Sequence, residues 1–353
     1  MSDNRTDSQR KAAPLLLGSS PHFASPVNST TLMGRMLVAL APVSMFGVII
    51  FGLPALLNII VAAAAAIAGE SLFRLITKQP VRAKDLSAGV TGVLLALVVP
   101  PNTPLWITAL GAIFAVIVAK EFFGGLGANV FNPALIGRAF LVMSFPAALT
   151  TWRIPVLPPG AAFAADVVTG ATPLGITKIG ASVPAVGRSL VEAGLSASDS
   201  YWATIKTLFF GFRAGCTGET SVFLILCAGL FLIVTKTIDW RTPVSMIASG
   251  FVFSLIFWQD PLFALYSVLS GGLVFGAVFM ATDYVTSPVT RRGKILFGVG
   301  AGLITMLIRR WGIYPEGVCF SILIMNGVTP FLNKLLPRKY GYVKKPSSKG
   351  GTK

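Results

Sequence analysis

Apolar residues in this chain come in long runs, without the strict alternation of a half-buried strand. Ten runs stand out, near residues 32–53, 54–73, 86–101, 105–120, 129–148, 218–235, 242–257, 262–281, 295–308 and 316–333. A hydrocarbon core of roughly 30 Å is crossed by about 20 helical residues, which is the length of the longer runs. In lipid a helix satisfies its own backbone, so runs of this kind read as spans. The pattern predicts an all-α polytopic membrane protein with about ten transmembrane helices. Polar stretches divide the chain into a tail (1–31), a first group of five helices (32–148), one long connection (149–217), a second group of five (218–333) and a basic tail (334–353).

Two of the runs resemble each other. Leu86-Ser87-Ala88-Gly89 leads to Thr103-Pro104, and Leu269-Ser270-Gly271-Gly272 leads to Ser287-Pro288, with a further glycine at Gly92 and at Gly276. The copies are the third and the eighth run. An odd number of crossings separates them, so they run in opposite directions, which predicts two inverted five-helix repeats. Helices interrupted by glycine and ending in proline-rich turns mark the places where such folds turn backbone toward a cavity.

Composition agrees with a membrane location. Hydrophobic residues make up 54% of the chain and charged residues 12%, and the mean hydropathy is +0.76. The formal charge of +16 sets the topology. With a cytoplasmic N-terminus, 21 of the 29 Lys and Arg residues fall on the cytoplasmic side, seven on the other, and Arg138 inside a span. That bias predicts both termini inside and the 149–217 connection outside, with the basic residues facing anionic membrane lipid. All six tryptophans, at 106, 152, 202, 240, 258 and 311, lie at predicted span ends, as interfacial rings do. The basic residues form no block interleaved with aromatics, which excludes nucleic acid as a partner. The first run is too long, and too poorly flanked by a cleavage site, for a removed signal, so it is expected to be a retained span. Cys216, Cys227 and Cys319 form no CxxC pair and His22 is the single histidine, so no metal site is expected and any redox group held by this chain alone is organic.

Within the outer connection lies Asp166-Val167-Val168-Thr169-Gly170-Ala171-Thr172-Pro173-Leu174. Gly170 permits a sharp turn, and Pro173 biases Thr172 toward an extended backbone that presents its hydroxyl to a modifying enzyme. The pattern resembles the site at which flavin transferases attach FMN, through a phosphoester, to the final threonine. Other motifs follow in order: Ser20-Pro21-His22, the stretch Gly124-Gly125-Leu126-Gly127-Ala128-Asn129-Val130-Phe131-Asn132-Pro133-Ala134-Leu135, Gly218-Glu219-Thr220-Ser221, Phe279-Met280-Ala281-Thr282-Asp283 with Thr286-Ser287-Pro288, and Tyr314-Pro315-Glu316-Gly317. Together they resemble a family that includes the D subunit of the Rnf electron transport complex and the B subunit of the sodium-translocating NADH:quinone oxidoreductase. The resemblance covers nearly the whole chain. Lacking a long N-terminal extension, the chain is more similar to the former.

That resemblance implies a urea-transporter-like fold and a place in a bacterial cytoplasmic (inner) membrane. The implied function is that of a subunit, inactive alone, of an ion-translocating ferredoxin:NAD oxidoreductase. FMN is expected as a covalent phosphoester on Thr172, with Asp166, Thr169, Gly170 and Ala171 completing the motif, and with room for a second, noncovalent flavin such as riboflavin. Expected partners are the other proteins of the Rnf-type complex, a flavin transferase and a Na or H ion. Arg153, Lys178 and Arg188 are candidates to balance the phosphodiester charge. Ionisable residues in or beside the membrane are candidates for ion movement: Glu121, Glu219, Asp283 and Glu316, with Arg138 pairing one carboxylate. Glu70 and Arg74, four apart, read as a local pair at the cytoplasmic boundary. The competing reading from the inverted repeat is a small-solute channel or transporter.

Overall fold

The computed structural model describes residues 28–80, 85–155, 170–178, 180, 183 and 201–334. The sequence motifs at His22, Asp166, Thr169 and Arg188 and most of both tails lie outside these residues. Thirteen helical segments carry the fold: α1 (Ser29–Phe51), α2 (Leu53–Ile76), α3 (Ser87–Leu97), α4 (Leu105–Ala119), α5 (Pro133–Ser144), α6 (Pro173–Lys178), α7 (Tyr201–Phe210), α8 (Val222–Val234), α9 (Arg241–Trp258), α10 (Pro261–Leu269), α11 (Leu273–Met280), α12 (Arg291–Trp311) and α13 (Val318–Lys334). No strand occurs among the described residues.

Each of the ten apolar runs falls on one of these helices or on the α10–α11 pair. By length and apolarity α1, α2, α9 and the segment Leu105–Phe123 suffice to cross a membrane, and the pair α10–α11, bent by 63°, is either a fifth, broken span or a re-entrant loop. Four more apolar helices, α3, α5, α8 and α13, are shorter. Local sequence explains the shortening. Pro100, Pro101 and Pro104 follow α3, and a proline ring cannot join the helical ladder. Asn132 caps α5 by accepting from the amides of Ala134 and Leu135 at 3.0 and 3.3 Å, with Pro133 in the first turn. Ser221, Asp260 and Thr290 cap α8, α10 and α12 in the same manner. The long connection holds two helices that its composition did not announce, α6 and α7.

Helix breaks leave carbonyls without intrahelical partners, and specific side chains take them. Asn58 on α2 donates to Pro101 O (2.9 Å) and Thr103 O (3.2 Å) beyond α3 and accepts from Thr108 Oγ1 (2.5 Å). The last turn of α11, Gly276–Met280, is π-helical, and Asn132 donates to Met280 O at 3.2 Å, tying the start of α5 to the end of α11. Packing pairs recur in the two groups of helices. In the first, α2 lies against α3 and α4, and α4 against α5. In the second, α9 lies against α10 and α12, and α12 against α13. Contacts of α1 with α8 and of α5 with α13 join the groups.

The α9–α12 contact depends on small residues. A Cβ added at Gly298 would lie 1.9 Å from Ser245 Oγ and 2.7 Å from Thr242 O, and one at Gly302 would lie 2.1 Å from Ser249 Oγ and 2.8 Å from Met246 O. Glycines four apart let two backbones approach within lipid, where packing rather than water drives association. Gly298→Val is expected to destabilise the bundle by about 1–3 kcal/mol through overpacking. A lowered unfolding temperature by fluorescence-detected size exclusion checks this, and an unchanged one would refute the role of the contact.

Candidate functional site

Thr172 stands at the start of α6, half-buried, and its Oγ1 accepts from Gly175 N at 3.1 Å. That bond caps the short helix and fixes the side chain. The turn is held from several sides. Gly170 N donates to Trp152 O (3.0 Å), and a Cβ at Gly170 would lie 2.7 Å from Ile154 Cδ1. Buried Tyr266 on α10 donates its hydroxyl to Pro173 O at 2.7 Å. Lys178 reaches the far end of α12 and donates to Ile308 O (3.5 Å), Gly312 O and Tyr314 O (2.8 Å). Burial draws the Lys178 ammonium below its usual pKa, and that of Arg153 likewise. Lys178 thus fastens α6 to the bundle through carbonyls of the α12–α13 corner.

Beneath this turn lies a cavity of about 280 Å³. Gly170, Ala171 and Thr172 form its rim, Trp152, Tyr314 and Phe320 supply aromatic wall, and Arg138, Glu219 and Glu316 form its floor. Arg138 projects from α5 and donates to Glu316 Oε2 at 2.8 Å, with Glu219 Oε1 3.9 Å away. Glu316 also accepts from Gly272 N. Arg213 donates to Leu269 O (2.6 Å), Gly271 O (3.3 Å) and Glu219 O. Arg309 donates to Ser267 O and to Ser270 O (3.2 Å). Both arginines therefore hold the break between α10 and α11. Gly271 makes that break possible: its φ is +65°, and a Cβ there would lie 2.6 Å from both Glu316 Oε1 and Leu174 Cδ1.

A second charged group occupies the opposite end of the bundle. α1 begins beside a small cavity, lined by Met33 and Met36, and carries the chain to Gly47, which packs on Thr217 next to Glu219; α2 then returns. At the end of α2, Glu70 meets Arg74 at 3.4 Å and Lys120 at 3.0 Å, and Arg74 meets Glu121 at 3.1 Å. All four are buried, so the Glu70–Arg74 pair is one edge of a network across α2 and α4, not a local surface pair. Lys120 also donates to Ser87 Oγ at 2.5 Å.

The structure divides the sequence candidates. Glu219 and Glu316 share the Thr172 cavity, with Arg138 contacting both. Glu121 lies in the far network, and Asp283 accepts from Thr286 Oγ1 at 3.0 Å and lines the small cavity of about 60 Å³ with Ser87, Lys120, Asn129 and Asn132. Arg213 and Arg309 were not singled out by sequence, where they look like interfacial charge. Their nearness to Gly218-Glu219 and to Tyr314-Pro315-Glu316 was the available signal. Among the described residues no His, Cys, Asp and Glu cluster is suited to a metal. Removing Arg138 leaves buried Glu219 and part-buried Glu316 facing each other, so Arg138→Gln is expected to cost stability, by at most the roughly 3–5 kcal/mol of a fully buried pair. A Glu316→Gln change in the same chain should recover part of that loss, and simple additivity in the thermal-shift cycle would sink the pairing.

Comparison with known proteins bears on the same residues. Residues 16–341 match the NQR2, RnfD, RnfE family. The chain is 42% identical over 343 residues to the D subunit of the proton-translocating ferredoxin:NAD(+) oxidoreductase complex of Clostridium ljungdahlii, covering 95% of this chain and 98% of the relative. It is 40% identical over 334 residues to the D subunit of the Na(+)-translocating ferredoxin:NAD(+) oxidoreductase complex of Acetobacterium woodii, covering 94% and 96%. To the D subunit of the ion-translocating oxidoreductase complex of Stutzerimonas stutzeri it is 37% identical over 328 residues, covering 88% and 91%. With the match spanning nearly its whole length, the chain belongs to the NQR2, RnfD, RnfE family.

Proposed function

We propose that this chain is a membrane subunit of an ion-translocating ferredoxin:NAD oxidoreductase complex, that it carries FMN as a phosphoester on Thr172, and that it relays electrons within the complex. The observation that carries this reading is the Thr172 cavity: a hydroxyl held at the rim of a recess with aromatic walls and a floor of paired arginine and glutamate side chains.

The residues present fit the group. Thr172 Oγ1 acts as a hydrogen-bond acceptor from Gly175, a role an ester oxygen retains, so esterification leaves the α6 cap in place. Trp152, Tyr314 and Phe320 offer flat apolar surface of the kind that lines cofactor pockets. Arg138, paired to Glu316, keeps guanidinium N–H groups at the floor of the same cavity. When bound, FMN supplies a ring that holds one or two electrons, and the protein sets its position and potential. A second, noncovalent flavin such as riboflavin belongs to the same reading.

Ten crossings in two inverted repeats, arranged as in urea transporters, also belong to it. Support comes from the repeated packing pairs and from one detail. A cation at the end of the fourth helix of each group lands on the serine that opens the matching broken helix, Lys120 on Ser87 and Arg309 on Ser270. These two contacts sit at opposite ends of the bundle, as inversion requires. Together with the charge bias, this supports both termini in the cytoplasm and Thr172 outside, in an inner membrane, where a flavin transferase acts. The coupling ion is H or Na, the two that the relatives' names carry. Glu121, Glu219, Asp283 and Glu316 are its candidate carboxylates.

Co-expressed with its complex and a flavin transferase, the chain should fluoresce under ultraviolet light after denaturing electrophoresis, and fragmentation should place the added mass on Thr172. Thr172→Ala should give a dark band. A fluorescent mutant band would move the attachment site, and a dark wild-type band would sink the covalent reading.

A further inference from the structure

A second cavity on the Thr172 side lies apart from the rim and floor described above. It measures about 130 Å³ and sits between α6, the α9–α10 corner and the end of α12. Lys178, Arg309 and Arg310 line it, with Thr177, Trp258 and Phe263, and no Asp or Glu is among its walls. Arg309 is 6% exposed, and its Nε has no hydrogen-bond partner. Its other nitrogens are held by Ser267 and Ser270 carbonyls, which fix the guanidinium without neutralising its charge. Glu316, the carboxylate whose charge acts most on Arg309, is paired with Arg138 and lines the other cavity, so it offsets Arg309 only in part. Lys178 spends its protons on carbonyls of the α12–α13 corner, so it contributes charge to this space while the arginines contribute donors.

We propose that this cavity binds a phosphate group, that of an anionic phospholipid headgroup. Guanidinium groups match phosphate oxygens in geometry and charge. The lipid source follows from position. Arg310 is exposed and lies 5.4 Å over the Trp258 ring, at the ends of α12 and α9. Tryptophan and arginine at span ends mark the level of the headgroups. Trp258 and Phe263 give a glycerol backbone an apolar wall beside the cations. A headgroup seated there touches α6, α10 and α12 at once and braces the helix that begins at Thr172. The site is formed whether or not Thr172 carries a flavin.

The test uses the full chain in its complex, purified in mild detergent, with Arg310→Gln, Arg310→Lys and Arg309→Gln variants. Each is exchanged into vesicles of phosphatidylcholine with one-fifth phosphatidylglycerol, re-extracted, and its retained lipid measured by mass spectrometry. The wild type should retain phosphatidylglycerol, and Arg310→Gln should retain about fivefold less, the factor one basic residue gives near anionic lipid. Arg310→Lys should restore most of it. Because buried Arg309 also holds the α10–α11 break, its variant can misfold; exposed Arg310 decides the matter without it. Equal retention by wild type and Arg310→Gln, or retention of phosphatidylcholine as strong as that of phosphatidylglycerol, would overturn the proposal. A second arm measures thermal stabilisation in detergent. Stabilisation by inorganic phosphate equal to that by phosphatidylglycerol would overturn the lipid source and assign the site to free phosphate. Repeating the assay on Thr172→Ala separates this proposal from flavin attachment, since lipid retention should not change.

Discussion

A polar backbone group exposed to hydrocarbon has no water to pair with, and this constraint organises the molecule. Continuous helices meet it within themselves. This chain breaks two of its central helices, after α3 and between α10 and α11, and each break frees carbonyls deep in the bundle. Asn58 takes those beyond α3. Arg213 and Arg309 take those between α10 and α11, and Asn132 takes Met280 O at the end of α11. The buried cations are then charges that must be balanced, and Glu219 and Glu316 stand beside them. A purely structural requirement thereby concentrates charge at the place where the fold opens a cavity.

The cavity inherits its character from that arrangement. Its floor is charged because the helix break needs donors, and its walls are apolar because α5, α13 and the Trp152 segment are bundle elements. Its rim is the Thr172 turn because Tyr266 and Lys178 fasten α6 to α10 and α12. Both fasteners hold backbone carbonyls, so the rim is positioned by the same kind of interaction that repairs the breaks. At the opposite end the Glu70, Arg74, Lys120 and Glu121 network balances its charges internally, and Lys120 also lines the small cavity that holds Asp283.

Particular residues separate what was legible from what was not. The apolar runs reported helices, and the Leu-Ser-small-Gly copies pointed to the two segments that break. Pro100, Pro101 and Pro133 report where α3 ends and α5 begins. The lengths of the short helices were overestimated from sequence, because apolar side chains continue past the break while the backbone leaves the helix. α6 and α7 leave no clear mark in the sequence, since a six-residue helix and a ten-residue helix in a Pro, Gly, Ala and Ser-rich stretch carry little periodicity. Arg138 was legible as an intramembrane charge, yet its partners at positions 219 and 316 are set by how the turns before α8 and α13 close on α5.

That the chain is helical and belongs in a membrane, and that Gly170 and Pro173 turn the backbone around Thr172, could be read from the residues in order, because hydrophobic length and local turn chemistry are properties of neighbours. Which carboxylates meet which arginines, that Thr172 caps a helix at the rim of a cavity, and that Glu121 and Asp283 lie away from it came only with the folded molecule. Those facts depend on groups up to 178 positions apart, as Arg138 and Glu316 are, brought together by how broken helices close against one another.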